Sequence, residues 1–246
     1  MTETCTRPAN LLPIRSGFCP GCLHGLATKL VAEVLEELGQ TENAIYVMSV
    51  GCSTLNLMYW KGDCISVPHG RAPAAATGIK RCCPERLVFT YQGDGDLAAI
   101  GLAEIISAAN RGEHFTVLFA NNSSYGMTGG QMAPTTLIGQ KSTTTKQGRV
   151  AETTGYPMKM CEMIAALQAP AYVARFALHT PQAAAEARAG IKKAFELQLA
   201  GKGFAFVELL TNCPVNWKLS PTASLDFMES QTVPYYKPGV YKEADV

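Results

Sequence analysis

The feature that most restricts the fold of this chain is a regular alternation of strand-like and helix-like segments. Five short segments are rich in β-branched and aromatic residues and stop at Gly, Asn, His or Thr, as buried strands commonly do. They span residues 44–50, 86–92, 114–120, 171–177 and 204–210. Helical segments precede or separate them, at residues 23–39, 72–81, 97–112, 158–168 and 181–201. The alternation predicts an α/β fold with a doubly wound, mostly parallel sheet and helices on both faces.

One domain is expected to hold most of the chain. No segment before residue 220 has the composition of a linker, so residues 1–220 are predicted to form a single α/β domain. Residues 221–246 contain three prolines and show no helical period. They are therefore predicted to form an extended C-terminal arm.

Charge and hydropathy exclude several classes of partner. With 21 basic and 20 acidic side chains the net charge is +1, which gives no electrostatic basis for binding nucleic acid or an anionic membrane. No apolar run has the length of a membrane span, and the start of the chain does not resemble a signal peptide. A cytoplasmic protein is expected. Its nine cysteines are then not expected to form disulfides, because the cytosol keeps thiols reduced.

The turn after the second strand, Gly-Asp-Gly at residues 93–95, permits two interpretations. Together with Ala98 its glycines fit G-x-G-x-x-A, a loose form of the dinucleotide-binding fingerprint. That fingerprint needs an acidic residue at the end of the following strand, where this chain has Asn121 and Asn122. The dinucleotide interpretation therefore explains only half of the pattern.

The second interpretation is a magnesium and diphosphate site. Consecutive parallel strands of a βαβ unit end at the same edge of the sheet, so Asp94 and Asn122 are expected to meet there. A carboxylate and amide oxygens suit Mg²⁺, with phosphate oxygens as further ligands. Glycines let backbone N–H groups and the next helix N-terminus face a pyrophosphate. The sequence favours Asp94 as a metal ligand over a simple Asp-Gly turn.

Four of the nine cysteines are predicted to lie at that same edge. Cys19 and Cys22 form a C-x-x-C just before a helix, and Cys52 and Cys213 each follow a strand. The C-x-x-C alone fits a zinc site or a redox pair, and four thiolates suit either Zn²⁺ or a [4Fe–4S] cluster. The remaining cysteines do not sort to this edge: Cys5, Cys64, Cys82, Cys83 and Cys161.

Two further features have both a functional and a structural explanation. His69 and Arg71 precede a helix start of small residues, where a phosphate could bind, but a capped helix with a surface arginine explains them equally well. Leu55 and Met127 either fill the core or form an apolar wall over a cofactor.

The turn and the asparagine pair together resemble the cofactor motif of thiamine diphosphate-dependent enzymes. Twenty-five residues separate Gly-Asp-Gly at residues 93–95 from Asn121-Asn122. More narrowly, "GDGDLAAIGLAEIISAANR" and "NNSSYGMTGGQMAPTT" resemble the β subunit of 2-oxoacid:ferredoxin oxidoreductases. The likeness runs from "FCPGC" to "TNCPVNW", which is most of the chain.

The resemblance implies three cofactors: thiamine diphosphate, Mg²⁺ and a [4Fe–4S] cluster. It implies that Mg²⁺ is held by Asp94, Asn122 and the backbone carbonyl of Ser124. It implies that the cluster ligands are Cys19, Cys22, Cys52 and Cys213. The residues that it implies for thiamine diphosphate are Val50, Gly51, Cys52, Ser53, His69, Gly70, Arg71, Ala72, Gly95, Asp96, Gly126 and Met127.

The resemblance also implies the reaction and the partners. The expected activity is oxidative decarboxylation of a 2-oxoacid, with the acyl group passed to coenzyme A and electrons to ferredoxin. The glutamate that activates the aminopyrimidine ring is expected on a separate pyrimidine-binding domain, for which one sheet leaves no room here, so an α subunit is expected to supply it. Small γ and ferredoxin-like δ subunits stay open, as does the choice between 2-oxoglutarate and a branched-chain 2-oxoacid.

Other classes explain parts of the sequence. A NAD-dependent dehydrogenase accounts for the glycines but not for the asparagine pair or the four cysteines. A non-oxidative thiamine diphosphate-dependent decarboxylase or synthase subunit accounts for the motif and assigns the cysteines to a structural zinc site. A zinc-stabilised binding module without catalysis would be colourless, which separates it from an iron–sulfur protein.

Overall fold

A single seven-stranded sheet organises the protein, which we describe from a computed structural model covering residues 7–244. The strands are β1 Ala44–Met48, β2 Asp63–Ser66, β3 Leu87–Gly93, β4 Thr116–Asn121, β5 Tyr172–Ala177, β6 Ala205–Leu210 and β7 Gly239–Glu243. Their order is β2-β1-β3-β4-β6-β5-β7. All neighbours pair in parallel except β5 with β7, which are antiparallel. The predicted mostly parallel sheet is present, and each of the five predicted strands lies in it.

Helices cover both faces of this sheet. The α-helices are α1 His24–Glu37, α2 Ala72–Cys82, α3 Leu102–Arg111, α4 Ala151–Thr154, α5 Met160–Ala165, α6 Pro181–Leu199, α7 Pro214–Trp217, α8 Pro221–Phe227 and α9 Val233–Tyr235. A 3-10 helix spans Cys52–Met58, and π-helical turns span Asp96–Ile100 and Met228–Thr232. Long helices therefore follow the predicted segments, whereas the short ones near the sheet edge were not predicted.

Alternate residues of the strands build two separate cores. Tyr46 and Phe89 pack with α1 and α6 on one face, whereas Val47 and Val88 pack with α2, α3 and α5 on the other. Strand side chains alternate between faces, so a strand buried on both sides is apolar at nearly every position. The sequence of β4, TVLFAN, is buried throughout for this reason.

The predicted helix at residues 97–112 is interrupted at Gly101. The loop before α2 crosses here, and a Cβ added to Gly101 would lie 2.5 Å from the carbonyl oxygen of Gly70. A glycine is needed on each side because a Cβ on Gly70 would in turn lie 2.7 Å from the backbone nitrogen of Gly101. The chain accommodates this contact with a π-helical turn followed by α3. The loop is thereby held against the start of the helix.

The prediction of an extended C-terminal arm is wrong for most of residues 221–246. Residues 221–235 are helical, since the Ser220 hydroxyl accepts a hydrogen bond from the Ala223 N–H and Pro221 occupies the first turn of α8. Met228 and Tyr236 are fully buried in a third apolar cluster. Within residues 221–244 the extended part is β7, which pairs with β5 at the edge of the sheet.

Candidate functional site

The carboxyl ends of β1, β3, β4 and β6 surround two adjoining cavities. The turn cavity, about 100 Å³, is lined by His24, Val50–Ser53, His69, residues 93–96, Asn122 and residues 124–128. The cysteine cavity, about 260 Å³, is lined by Phe18, Cys19, Cys22, His24, Cys52, Leu55, Asn122, Gly126, Met127, Gly129 and residues 213–216. Five residues line both: His24, Cys52, Asn122, Gly126 and Met127. Ligands in these two cavities would therefore be direct neighbours.

Asp94 lies at the base of the turn cavity and is only 2 % exposed. Its Oδ1 accepts a hydrogen bond from Gly95 N, and its Oδ2 accepts bonds from Ser124 N (3.0 Å) and Thr135 Oγ1 (2.6 Å). Burial nevertheless raises the pKa of this carboxyl from 3.8 to about 6, against the lowering effect of those bonds. The Gly95 and Ser124 amides and the Thr135 hydroxyl are uncharged donors, so none of them neutralises the ionised Asp94 carboxylate.

Asn122 meets Asp94 across the backbone of Ser124. The Ser124 N–H lies 3.2 Å from Asn122 Oδ1 and 3.0 Å from Asp94 Oδ2, so both oxygens face the same amide. Ser123, with φ 57°, places the chain in the left-handed region between them. The sequence prediction that Asp94 and Asn122 come together at one sheet edge is borne out by this contact. Carboxylate and amide oxygens are ligands that hard divalent cations prefer, and here one of each faces the same backbone amide.

The Ser53 hydroxyl is a polar group in the turn cavity without a hydrogen-bond partner among the described residues. It is buried and lines the cavity. Buried hydroxyls normally find a partner, so this oxygen is poised for a ligand. The predicted contacts Val50, Gly51 and Cys52 line the same wall.

The Asp96 carboxylate ties the walls of the turn cavity together. Its Oδ1 is bonded by Ser49 Oγ (2.7 Å), His69 Nδ1 and Gly70 N (2.6 Å), and its Oδ2 by Gln92 Nε2 (2.7 Å). These donors come from the ends of β1 and β3 and from the loop before α2. Asp96 lines the cavity as expected, but its side chain is already occupied in bonding the protein.

The segment at residues 69–72 contributes one residue to the cavity lining. His69 lines the turn cavity, whereas Gly70 and Ala72 are buried behind it. Arg71 is half-exposed and forms an ion pair with Glu104 of α3. A role of Gly70, Arg71 and Ala72 in cofactor binding stays a prediction.

His24 is a site residue that the sequence interpretation missed. It is 1 % exposed, lines both cavities, and its Nδ1 lies 2.5 Å from the Tyr91 hydroxyl. Burial lowers its pKa to about 4, so the ring is neutral at neutral pH. Its position in the first turn of the helix after the C-x-x-C could have indicated it.

The four cysteines predicted to share a site line one cavity. Cys19 and Cys22 precede α1, Cys52 begins the 3-10 helix, and Cys213 is the N-cap of α7. Burial raises the pKa of Cys22 to about 12 and that of Cys52 to about 11, with a smaller contribution from the neighbouring Cys213. No three His, Cys, Asp or Glu side chains within residues 7–244 converge closely enough to hold a single metal ion.

The other cysteines lie away from this cavity. Cys64, Cys82 and Cys83 are outside its lining and reach the surface, and Cys161 of α5 is buried in the core. Cys5 lies outside the described residues. The sorting of cysteines by sheet edge is consistent with the structure for every cysteine that it describes.

A buried ion pair supports the asparagine loop from below. Arg175 of β5 and Glu208 of β6 are both fully buried, and Arg175 Nε donates to Glu208 Oε2 at 2.8 Å. Glu208 Oε1 accepts a hydrogen bond from Asn121 Nδ2 (2.8 Å), while Asn121 Oδ1 accepts one from Ser123 N (3.2 Å). Asn121 therefore anchors the loop, and Asn122 faces the cavities.

Residues 49–209 match the family described as the thiamine pyrophosphate enzyme, C-terminal TPP-binding domain. Ketoisovalerate oxidoreductase subunit VorA of Methanothermobacter thermautotrophicus is 46 % identical over 92 % of this chain and 47 % of its own length. 2-oxoglutarate synthase subunit KorB of Methanocaldococcus jannaschii is 37 % identical over 88 % of this chain and 78 % of its own length.

This chain spans about half the length of the VorA relatives that it matches. Among solved structures, 2-oxoglutarate:ferredoxin oxidoreductase from Magnetococcus marinus superposes with a TM-score of 0.79 at 23 % identity. The alignment covers 98 % of this chain and 86 % of that one, and it confirms the predicted fold. No helix within residues 7–244 has the length and hydropathy to cross a membrane.

Proposed function

This chain belongs to the thiamine pyrophosphate enzymes and, within them, to the 2-oxoacid:ferredoxin oxidoreductase subunits, as its sequence predicts. We propose that it is the cofactor-binding subunit of such an enzyme. The proposed reaction is oxidative decarboxylation of a 2-oxoacid to acyl-coenzyme A and CO₂, with electrons passed to ferredoxin. The observation that carries the proposal is the direct contact of the turn cavity with the cysteine cavity through five shared residues. Electrons released in one cavity need to travel only a short distance to an acceptor in the other.

The turn cavity suits Mg²⁺ and a diphosphate. We propose that Asp94, Asn122 and the Ser124 carbonyl hold the cation. Support comes from the buried Asp94 carboxylate and from the way Ser124 N brings Asp94 Oδ2 and Asn122 Oδ1 together. The unpartnered Ser53 hydroxyl offers a further contact to the cofactor. We propose that Gly95, Asp96, Gly126 and Met127, which line this cavity, contact the cofactor.

The cysteine cavity suits a group larger than one ion. A single zinc ion would need its four sulfurs within about 4 Å of one another, given zinc–sulfur bonds of about 2.3 Å. The thiols of Cys19, Cys22, Cys52 and Cys213 instead surround a cavity of about 260 Å³. We therefore favour a [4Fe–4S] cluster there over the structural zinc of the alternative interpretation.

The cofactors and the protein have separate tasks in this proposal. Bound here, thiamine pyrophosphate supplies the carbanion chemistry of decarboxylation and the cluster accepts electrons singly. The Asp94 carboxylate binds the cation that neutralises the diphosphate. Asp96 orients the end of β1 and the His69 loop around the cavity through its four hydrogen bonds. His24 and Met127 line both cavities and would therefore lie between the cofactor and the cluster.

The proposed site is half of an active centre. No glutamate of the described chain lines either cavity, so the carboxylate that activates the aminopyrimidine ring must come from elsewhere. The exposed apolar side chains at this edge include Val50 (43 %), Met58 (62 %), Met127 (50 %) and Val215 (60 %). An α subunit carrying the pyrimidine-binding domain would cover them and supply the carboxylate.

Cysteine substitutions in the anaerobically purified complex test the proposal. Serine at Cys22 or Cys213 should remove most of the iron and bleach the visible absorption, because each change deletes a cluster ligand. Serine at Cys64 or Cys82, outside the cysteine cavity, is the matched control and should leave iron and colour unchanged. A colourless wild-type protein that contains zinc would instead support the non-oxidative alternative.

Reconstitution tests the half-site. The chain alone should bind thiamine pyrophosphate weakly and show no 2-oxoacid-dependent ferredoxin reduction, and addition of the α subunit should restore both. Ferredoxin reduction by the chain alone as a monomer would contradict the half-site.

A further inference from the structure

The side-chain amide of Asn216 makes two hydrogen bonds that join residues 125–131, here called the cofactor loop, to the cysteine cavity. Its Nδ2 lies 3.2 Å from Cys213 Sγ and 2.9 Å from the carbonyl oxygen of Gly126, and donates to both. Asn216 is part of α7, whose N-cap is Cys213 itself. Gly126 belongs to the loop of residues 125–131, which lines the turn cavity.

The loop reaches Asn216 because it carries glycines at the two contact points. A Cβ on Gly126 would lie 3.1 Å from Cys52 Sγ and 3.7 Å from Cys213 Sγ. A Cβ on Gly130, which has φ +82°, would lie 2.9 Å from the Asn216 side chain. The loop backbone therefore packs beside the Cys52 and Cys213 thiols at Gly126 and against the Asn216 side chain at Gly130.

The next residue of α7 extends the same connection. Trp217 Nε1 donates to the carbonyl oxygen of Asn122 at 3.1 Å. Two consecutive side chains of one short helix thus hold the backbone on both sides of the proposed magnesium site. The N-cap of that helix, Cys213, is a proposed cluster ligand, so α7 contacts both the proposed magnesium site and the proposed cluster site.

We propose that Asn216 is a positioning residue that raises the reduction potential of the cluster held by Cys213 and fixes the cofactor loop against it. The inference rests on the proposed function, since it needs a cluster on the four cysteines. A hydrogen bond to a ligand sulfur draws electron density from the thiolate, which favours the reduced and more negatively charged cluster. Removing the donor therefore lowers the reduction potential.

The test compares Asn216→Leu with Gln131→Leu in the anaerobically purified complex. Leucine at position 216 keeps the approximate size of the side chain and removes both hydrogen bonds of Asn216 Nδ2. Gln131 is the matched control, because its Nε2 donates to Thr128 O (3.0 Å) within the same loop and it lines neither cavity. Both changes loosen the loop, but only the first removes a bond to sulfur.

The readout is the midpoint potential from an anaerobic redox titration followed by electron paramagnetic resonance. In Asn216→Leu the ratio of reduced to oxidised cluster at the wild-type midpoint should fall roughly tenfold, equivalent to about 59 mV for one electron. Gln131→Leu should titrate like wild type. Asn216→Asp, which replaces the donor with an oxygen in the same shape, should also lower the potential.

Several results would overturn the inference. An unchanged potential in Asn216→Leu with the cluster intact would do so while leaving the proposed function standing. An equal shift in Gln131→Leu would assign the effect to loop mobility. Loss of iron from both Asn216 variants, with Gln131→Leu fully loaded, would make the residue an assembly element instead. A wild-type complex without iron would overturn the proposed function itself, and this inference with it.

Discussion

Replacing Asp94 with asparagine should stabilise the metal-free chain at pH 8 and abolish its stabilisation by ligand. Burial raises the pKa of Asp94 from 3.8 to about 6, so ionising it in the folded state is unfavourable. At 1.36 kcal/mol per pKa unit, the difference corresponds to about 3 kcal/mol. Asparagine removes the charge and with it this cost of about 3 kcal/mol. It also loses an acceptor for Gly95 N, which reduces the gain in stability by about 1 kcal/mol. The expected net gain is about 2 kcal/mol.

The sign of this effect reverses with pH. The folded state binds the Asp94 proton more tightly than the unfolded state, so this group favours folding below about pH 3.8 and loses that contribution as pH rises through about 6. In wild type with chelator present, Asp94 should therefore lower the free energy of unfolding between pH 4 and pH 7. The variant lacks this dependence, and near pH 4 it should be slightly less stable than wild type.

Urea unfolding with a chelator, at pH 4 and at pH 8, measures the free energy of unfolding of the metal-free wild type and variant. Addition of Mg²⁺ and thiamine pyrophosphate measures the stabilisation by ligand, since a ligand at a hundred times its dissociation constant adds about 2.7 kcal/mol to a chain that binds it. Wild type should gain stability and Asp94→Asn should not. Equal stabilisation of both chains, or a variant that is less stable than wild type at pH 8, would refute the assignment of Asp94.

Further predictions concern the scaffold. Gly190→Ala in α6 should cost about 1–3 kcal/mol, because the new Cβ would lie 2.1 Å from the Phe176 ring. Gly78→Ala in α2 meets no atom within 4 Å and should add about 0.5–1 kcal/mol, so the two variants should move in opposite directions in urea. Arg175→Met should cost about 3–5 kcal/mol by leaving Glu208 buried without its partner; a cost below 1 kcal/mol would show that the pair is not needed.

The main elements of the fold were predictable because their signals are local. The five predicted strands are apolar on both faces, which identifies them without any tertiary information. The helix predicted at residues 181–201 is present as α6, and Thr180 Oγ1 caps it by accepting a hydrogen bond from Ala183 N at 3.1 Å. The edge strand β2, sequence DCIS, is exposed at all four positions and has no apolar pattern to reveal it.

Elements at the sheet edge were not predicted where a contact with a residue far away in the sequence determines the backbone conformation. Gly101 interrupts a strongly helical segment only because the backbone of Gly70 crosses it. The Ser220-Pro221 start of α8 was present in the sequence, but the prolines of the following segment indicated a loop. In the structure Pro234 lies in α9, directly after the π-helical turn Met228–Thr232.

For the site, topology was sufficient to assign residues to an edge but not to assign their partners. Asp94, Asn122 and the four cysteines were placed correctly because each follows a strand or precedes a helix, and parallel strands end together. His24 and Asn216 belong to the same edge by the same rule. Their importance depends on contacts from other elements, namely Tyr91 of β3 and the Gly126 carbonyl. A polar side chain that acts through a neighbour on another strand has no periodicity or spacing of its own. Such residues can be identified only from the three-dimensional contacts at the sheet edge.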